Sequence, residues 1–212
     1  MRSGARWAVL ALLLAVGVVG GYAASGLVDD RPTASGPAVP VAASPDSPVD
    51  PPPVIAPDPD VPALETDLRT RLVEVGGGDF AVTVPVPVGW ARTDTAATEA
   101  KWLVPGHPPH TYRLRVEVTS AEHTALADMV EERVEDLQSP RAALEQLTVL
   151  DQRSSSLEFT YVDDGYLRHA LVTWVDLSRS GEAELEVALT GRERDVPGMQ
   201  ALTARIVAGA RA

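Results

Sequence analysis

The stretch of sequence that decides the fold is LEFTYVDDGYLRHALVTWVDLSRSGEAELEVAL, residues 157–189. Leu157, Phe159 and Tyr161 alternate with polar residues, which is the period of a half-buried β-strand. Asp164 and Gly165 then supply a residue pair that favours a hairpin turn. Residues 166–177 are apolar at both odd and even positions, which is typical of a strand covered on both faces. Because the alternation resumes after a second polar turn, over residues 183–189, the stretch predicts a three-stranded antiparallel meander.

Further strands are predicted before the meander. Valines alternate with other residues from position 82 to 88, after a glycine-rich turn at residues 76–79. Pro85 and Pro87 restrict this strand to the edge of a sheet, because proline donates no backbone hydrogen bond. Two more strands are expected near residues 102–104 and 112–118.

Two segments have the period of a helix instead. The first is expected to begin after Thr124 as its cap and to end at Ser139, with one apolar face made of Leu126, Met129, Val130, Val134 and Leu137. The second is expected to be capped by Asp195, and its apolar face is Met199, Leu202, Ile206 and Val207. Strands followed by and interrupted by helices predict an α+β domain, an antiparallel sheet flanked by helices, over residues 63–212.

Residues 1–28 predict a signal anchor that spans a membrane. Arginines at positions 2 and 6 precede an uncharged stretch over residues 7–28, and two aspartates follow it. As a helix rising about 1.5 Å per residue, this stretch spans a hydrocarbon core of about 30 Å. Its flanking charges place the N-terminus in the cytoplasm and the domain outside. The alternative is a signal peptide, cleaved after residues 21–23 or 22–24, which releases the domain as a secreted protein.

Composition further restricts the linker, the possible partners and the covalent chemistry of the chain. About a third of residues 29–62 are proline, which predicts a disordered, extended linker between the anchor and the domain. The chain has a net charge of −12 and no basic stripe, so nucleic-acid binding is not expected. The absence of cysteine excludes disulfides, thiol nucleophiles and a lipoprotein anchor.

The order of elements resembles a known family. A strand that ends in Val-Pro-Val-Pro-Val-Gly-Trp, residues 84–90, is followed by a strand-helix unit, the meander and a C-terminal helix. Residues 75–212 in this order are similar to the PsbP-like fold of actinobacterial exported proteins, which includes the LpqN-type lipoproteins. The resemblance implies an α/β/α sandwich used for protein binding or assembly, without an active site. The chain departs from the LpqN type because it has no lipobox cysteine.

No set of residues predicts a catalytic, cofactor or metal site. His107 and His110 lie in a proline-rich loop without a third ligand and are expected to be exposed. His123 is expected to precede a helix cap, and His169 to be partly buried with its hydrogen bonds satisfied. Serines 154–156 lack the turn that serine catalysis requires and are expected at a hairpin. The turn geometry explains Asp163 and Asp164, and glycines 76–78 match no phosphate-binding motif. The acidic residues of the first helix are expected to be exposed to solvent: Glu131, Glu132, Glu135 and Asp136. Core positions are expected for Trp90, Trp102 and Trp174, with Trp102 partly exposed.

The sequence therefore predicts a membrane-tethered extracytoplasmic module that binds or assembles proteins of the cell envelope and is not an enzyme. Its binding surface and its partner are not identified by any motif. One alternative is a carrier or sensor of a small ligand, with a pocket between sheet and helix. The other is an envelope hydrolase without a recognisable motif.

Overall fold

The computed structural model describes residues 54–94, 96–119, 123–142 and 144–212. The predicted anchor and most of the predicted linker lie outside these residues. Every element below belongs to the unit Pro51–Ala212. Among the described residues there is no helix of sufficient length and apolarity to cross a membrane.

This unit is built mainly of β-strands. They are β1 (Thr70–Val75), β2 (Val82–Pro87), β3 (Ala91–Asp94), β4 (Glu99–Leu103), β5 (Arg113–Val118), β6 (Glu145–Gln152), β7 (Ser156–Asp163), β8 (Tyr166–Val175) and β9 (Leu185–Gly191). Helix α1 (Leu126–Gln138) follows β5, and helix α2 (Val196–Gly209) follows β9. Short 3₁₀ turns precede β2 and α2, at Gly78–Phe80 and Glu193–Asp195.

Seven strands form one antiparallel sheet in the order β3-β4-β5-β9-β8-β7-β6, and β1 and β2 pair as a separate hairpin. The predicted meander is confirmed as β7, β8 and β9, with β8 hydrogen-bonded between the other two. The Asp164–Gly165 turn is also confirmed, since both residues have positive φ, 49° and 79°. The two-sided apolar pattern of β8 thus marked an interior strand.

The sheet has a different cover on each face. One face, here called the hairpin face, packs Leu114, Val187 and Leu189 against the β1–β2 hairpin and α2. The opposite face, here called the groove face, packs Phe159 and Trp174 against α1. Since the two helices lie on opposite faces, the predicted α+β class with a flanked sheet is confirmed.

Strands β3 and β6 were not predicted, and the N-cap of α1 was predicted one residue too early. β3 has four residues, and the pairing of β6 with β7 shifts register between Glu145 and Thr148 and between Val149 and Asp151. A bulged strand loses the strict period of two from which strands are predicted. The N-cap position of α1 is Ala125, one residue after the predicted Thr124.

The predicted partial exposure of Trp102 is wrong. Its side chain is 0% exposed, because Trp102 lies on the hairpin face of the interior strand β4. Trp90 and Trp174 are buried as expected, at 7% and 2% exposure. The error arose because a neighbouring loop is visible in the order of residues, whereas the layer that covers Trp102 is not.

The end of the predicted disordered linker is docked on the domain. Residues 56–64, here called the strap, lie extended, and the backbone N–H of Ala56 donates to the carbonyl of Gly165 at 2.7 Å. Arg168, which is 2% exposed, donates to the carboxylate of Asp58. The domain therefore begins before the boundary at Pro62 that composition indicated, and the disordered linker stays a prediction for residues 29–53.

A buried ion pair fixes the other end of the strap. Arg192 and Asp195 are both 0% exposed, and two guanidinium nitrogens of Arg192 donate to the two carboxylate oxygens at 2.7 and 2.8 Å. The same guanidinium donates to the carbonyls of Pro59, Val61 and Pro62 at 2.9–3.1 Å. Asp195 sits at the N-cap position of α2 as predicted, but its carboxylate binds this arginine rather than the helix.

Acid should weaken this attachment in a defined pH window. Burial by itself would raise the pKa of Asp195, but hydrogen bonds from Arg192 and from the backbone N–H of Leu64 outweigh it, so the pKa lies below the ordinary 3.8. A carboxyl group with a lowered pKa stabilises the folded state above its unfolded pKa, and this contribution is lost as pH falls through the folded pKa.

We expect Asp195→Asn to be less stable than the wild type at neutral pH and the difference to shrink in acid. Urea unfolding of both proteins between about pH 7 and about pH 2.5 measures it. The wild type should lose the larger share of its free energy of unfolding below about pH 4. A difference that widens on acidification would contradict the role assigned to this carboxylate.

Candidate functional site

A groove runs between α1 and the uncovered part of the groove face. It encloses a cavity of about 420 Å³. Strands β4, β5, β7, β8 and β9 form its floor and far side, and Arg133, Leu137 and Leu144 form the helix side. This volume lies within the roughly 300–1,000 Å³ of known small-molecule sites. Helix α1 packs mainly against β6 and β8.

Small side chains on the floor make room for the cavity. Thr190 and Ala170 are paired residues on β9 and β8, and Ala188 and Val172 form the next pair. Arg113 continues the first row on β5, and Phe159 continues it on β7. Alternate residues of a strand share one face, so a charged edge and an aromatic edge flank a floor of alanine, valine and threonine.

A buried charge cluster closes one end of the groove. Glu186, 2% exposed, accepts hydrogen bonds from Arg115 on the neighbouring strand and from Arg133 of α1, the latter at 2.7 Å. Arg115 also donates to Glu99 at 2.9 Å and to Glu117 at 2.7 Å. Ion pairs buried to this degree contribute mainly by fixing geometry, because their attraction is largely offset by lost hydration. The cluster holds α1 over the sheet at a set position.

Burial and neighbouring charges shift the pKa values within this cluster in opposite directions. Burial raises the pKa of Glu186 above its ordinary value, against the opposing effect of Arg133 and Arg115. Burial would lower the pKa of Arg115, but the carboxylates of Glu186, Glu99 and Glu117 raise it overall. The guanidinium of Arg115 therefore stays charged, and the three carboxylates around it occupy its donors.

Arg113 differs from the other cations of the groove. Lys101 lies 3.1 Å from Glu99, and Arg115 and Arg133 are held by the cluster. Arg113 is exposed and lines the groove, and it makes no hydrogen bond or ion pair with any described residue. An arginine side chain presents five N–H donors in a planar fork. These donors are available to a bound molecule.

A second cavity, of about 250 Å³, adjoins the groove and shares Arg113, Asp163 and Thr190 with it. The loop before β5 forms its outer wall, where His110 stacks on Tyr166 with ring centroids 4.5 Å apart. Arg168 lies beneath this loop and donates to the carbonyl of His110. The strap, which Arg168 also binds, is thus linked to the wall of the second cavity.

The loop histidines are not as exposed as predicted. His107 and His110 are both half-buried, because one meets Tyr112 edge-on and the other stacks on Tyr166. Within the described residues there is no group of three histidine, aspartate or glutamate side chains placed to hold a metal ion. The two histidines therefore pack the loop onto the domain.

The other candidate residues lie apart from one another. His169 contacts Glu158 at 2.7 Å and Glu193 at 3.2 Å, so it is paired as predicted, and at 5% exposure it is more deeply buried than predicted. Ser154 and Ser155 lie in the turn between β6 and β7, and the four acidic residues of α1 are exposed, as predicted. Asp163 alone among these candidates lines the groove.

Sequence reasoning missed the groove, together with Arg113, Arg115, Arg133 and Glu186. The charged residues at 113, 115 and 117 alternate with core residues and looked like an ordinary solvated face. Glu186 was the one available signal, because it lies among apolar residues that form an interior strand. A carboxylate in that position requires a buried cationic partner.

Comparisons with known proteins give limited information. No protein-family model matches the chain, and no curated protein matches its sequence. One similar solved structure is described as "Crystal structure of LpqN involved in cell envelope biogenesis of Mycobacterium tuberculosis". The TM-score is 0.41 at 13% sequence identity, and the alignment covers 67% of this chain and 90% of that chain. The resemblance is loose and concerns the fold alone, and the PsbP-like assignment stays a prediction.

Proposed function

We propose that the protein is a non-catalytic binding module, exported and acting at the cell envelope, and that the groove between α1 and the sheet is its binding site. The observation that carries the proposal is the cavity of about 420 Å³ with the unpaired guanidinium of Arg113 at its edge. Envelope location follows from the predicted anchor and linker.

A protein partner and a small ligand are both compatible with a groove. The carrier or sensor function predicted as an alternative gains support from the position of the cavity, which lies between sheet and helix. A protein partner would instead cover the surface at the end of β4, where Leu103 is 48% exposed. Both forms of the proposal place the contact on the groove face.

Site-specific photocross-linking in intact cells tests this placement. A photoreactive amino acid replaces Leu103 at the edge of the groove face, and in a matched variant it replaces Leu72 on the hairpin, which is 57% exposed. We expect adducts from position 103 and none from position 72. Equal adducts from both, or adducts from position 72 alone, would place binding elsewhere.

Enzyme assays test the non-catalytic part. The purified Pro51–Ala212 unit, which contains both cores and all elements of the described structure, is incubated with nitrophenyl esters, glycosides and phosphodiesters. We expect no turnover above buffer. Turnover that a single substitution in the groove abolishes would establish an enzyme and overturn this part.

A further inference from the structure

We propose that the groove binds a small amphipathic anion, with a carboxylate head on Arg113 and an apolar body on the floor between β5 and α1. The inference rests on the proposed function, because it names the ligand class of the same site. It depends on three features: one unpaired cation, an apolar floor and a volume suited to a small molecule.

The ligand head is inferred from the charged side chains that line the groove. Four cationic side chains line the groove, and three of them contact carboxylates within 3.1 Å. Glu186 is closed off by two of these arginines and by its own burial. Arg113 therefore remains available, and two parallel N–H groups of its guanidinium can donate to a ligand. Arginine binds carboxylates in this bidentate way, with shorter and stronger hydrogen bonds than those between neutral groups.

The ligand body is inferred from the residues that form the floor and the helix side of the groove. From Arg113 the row of paired residues crosses Thr190 and Ala170 and ends at Phe159. Tyr161, whose ring lies 5.7 Å from that of Phe159, adds a second aromatic ring to the same end. Leu137 and Leu144 face the row from the helix side. An alkyl or aryl chain that starts at Arg113 therefore crosses Thr190 and then meets apolar groups from Ala170 to Phe159.

The groove also contains acidic side chains, which bear on the sign of the ligand charge. Asp163, at the hairpin end of β7, also lines the groove and forms no ion pair with a described residue, and it lines the second cavity together with Arg113. Glu99 is held by Arg115 and Lys101. A cationic amphiphile would use Asp163, so the two signs of ligand give different outcomes.

Isothermal titration calorimetry with the Pro51–Ala212 unit compares three probes of equal chain length: sodium decanoate, decanol and decyltrimethylammonium, each kept below its micelle concentration. We expect decanoate to bind at least roughly tenfold more tightly than decanol, since a hydrogen bond to a charged group adds this much. Decanol binding as tight as decanoate, or tighter binding of the cation, would overturn the proposal.

Three variants locate the binding. Arg113→Met keeps the length of the side chain and removes its charge, and should weaken decanoate binding by roughly 10- to 100-fold without changing decanol binding. Arg71→Met, at an exposed position on the hairpin, is the matched control and should bind decanoate like the wild type. Ala188→Leu fills the floor and should abolish the binding of both probes, with far-UV circular dichroism and the melting temperature confirming that the variant folds.

The outcomes separate this inference from the function on which it rests. If photocross-linking places a partner on the groove face but decanoate does not bind the wild type, the anionic ligand is wrong and the binding module stands. If Arg113→Met binds decanoate as the wild type does, the assigned head position is wrong.

Discussion

Arg192→Met should lower the free energy of unfolding by about 3–5 kcal/mol, the loss typical when one partner of a buried ion pair is removed. Asp195 would be left 0% exposed without its counterion. The strap would also lose the guanidinium that binds the carbonyls of Pro59, Val61 and Pro62. Urea unfolding of the Pro51–Ala212 unit, followed by circular dichroism, measures the loss.

Arg194→Met is the matched control, because Arg194 lies two residues along the chain and is exposed. Substitutions at exposed positions of this kind usually stay within about 0.5 kcal/mol of the wild type. If Arg192→Met lost no more than this control, the buried pair would not stabilise the attachment of the strap.

Gly198→Ala should destabilise the same unit by about 1–3 kcal/mol, although alanine is the better helix former. A Cβ atom at position 198 of α2 would lie 2.2 Å from the carbonyl oxygen of Leu64, and either the helix or the strap would have to move. Backbone atoms cannot move aside as the end of a flexible side chain can. The expected loss therefore measures how closely the strap packs on α2.

Gly77→Ala provides the control for this substitution. Gly77 has φ of −166°, which any residue adopts, and no atom lies within 4 Å of a Cβ built there. We expect it to be neutral or slightly stabilising, because alanine restricts the unfolded chain. A Gly198→Ala protein as stable as Gly77→Ala would mean that the strap is displaced without cost.

The fold was predictable where a local pattern sufficed. Alternation along Leu157, Phe159 and Tyr161 and the Asp164–Gly165 turn fixed the meander, and the helical period of residues 126–137 placed α1. These features depend on residues a few positions apart. The bulged strand β6 was missed because its irregular register hides the period.

The candidate site was not predictable, since its contacts join residues far apart in sequence. Arg115 meets Glu186 across 71 positions, and Arg133 meets it across 53. Each of these residues by itself resembles an ordinary surface charge. Their burial appears only when β5 lies beside β9 and α1 packs above them.

By itself the sequence determined the α+β class, the meander with its interior strand β8, and the prediction of an exported, tethered domain. Those conclusions follow from periodicity, turn residues and composition, all of which are local properties of the chain. The tertiary structure alone decided the rest: that α1 packs mainly against β6 and β8, that Arg113 lines the groove without an ion pair to another described residue, and that Arg192 holds a strap taken from the predicted linker. Which charges pair and which stay free is set by distances in space, because desolvation and ion pairing depend on neighbours that the order of residues does not specify.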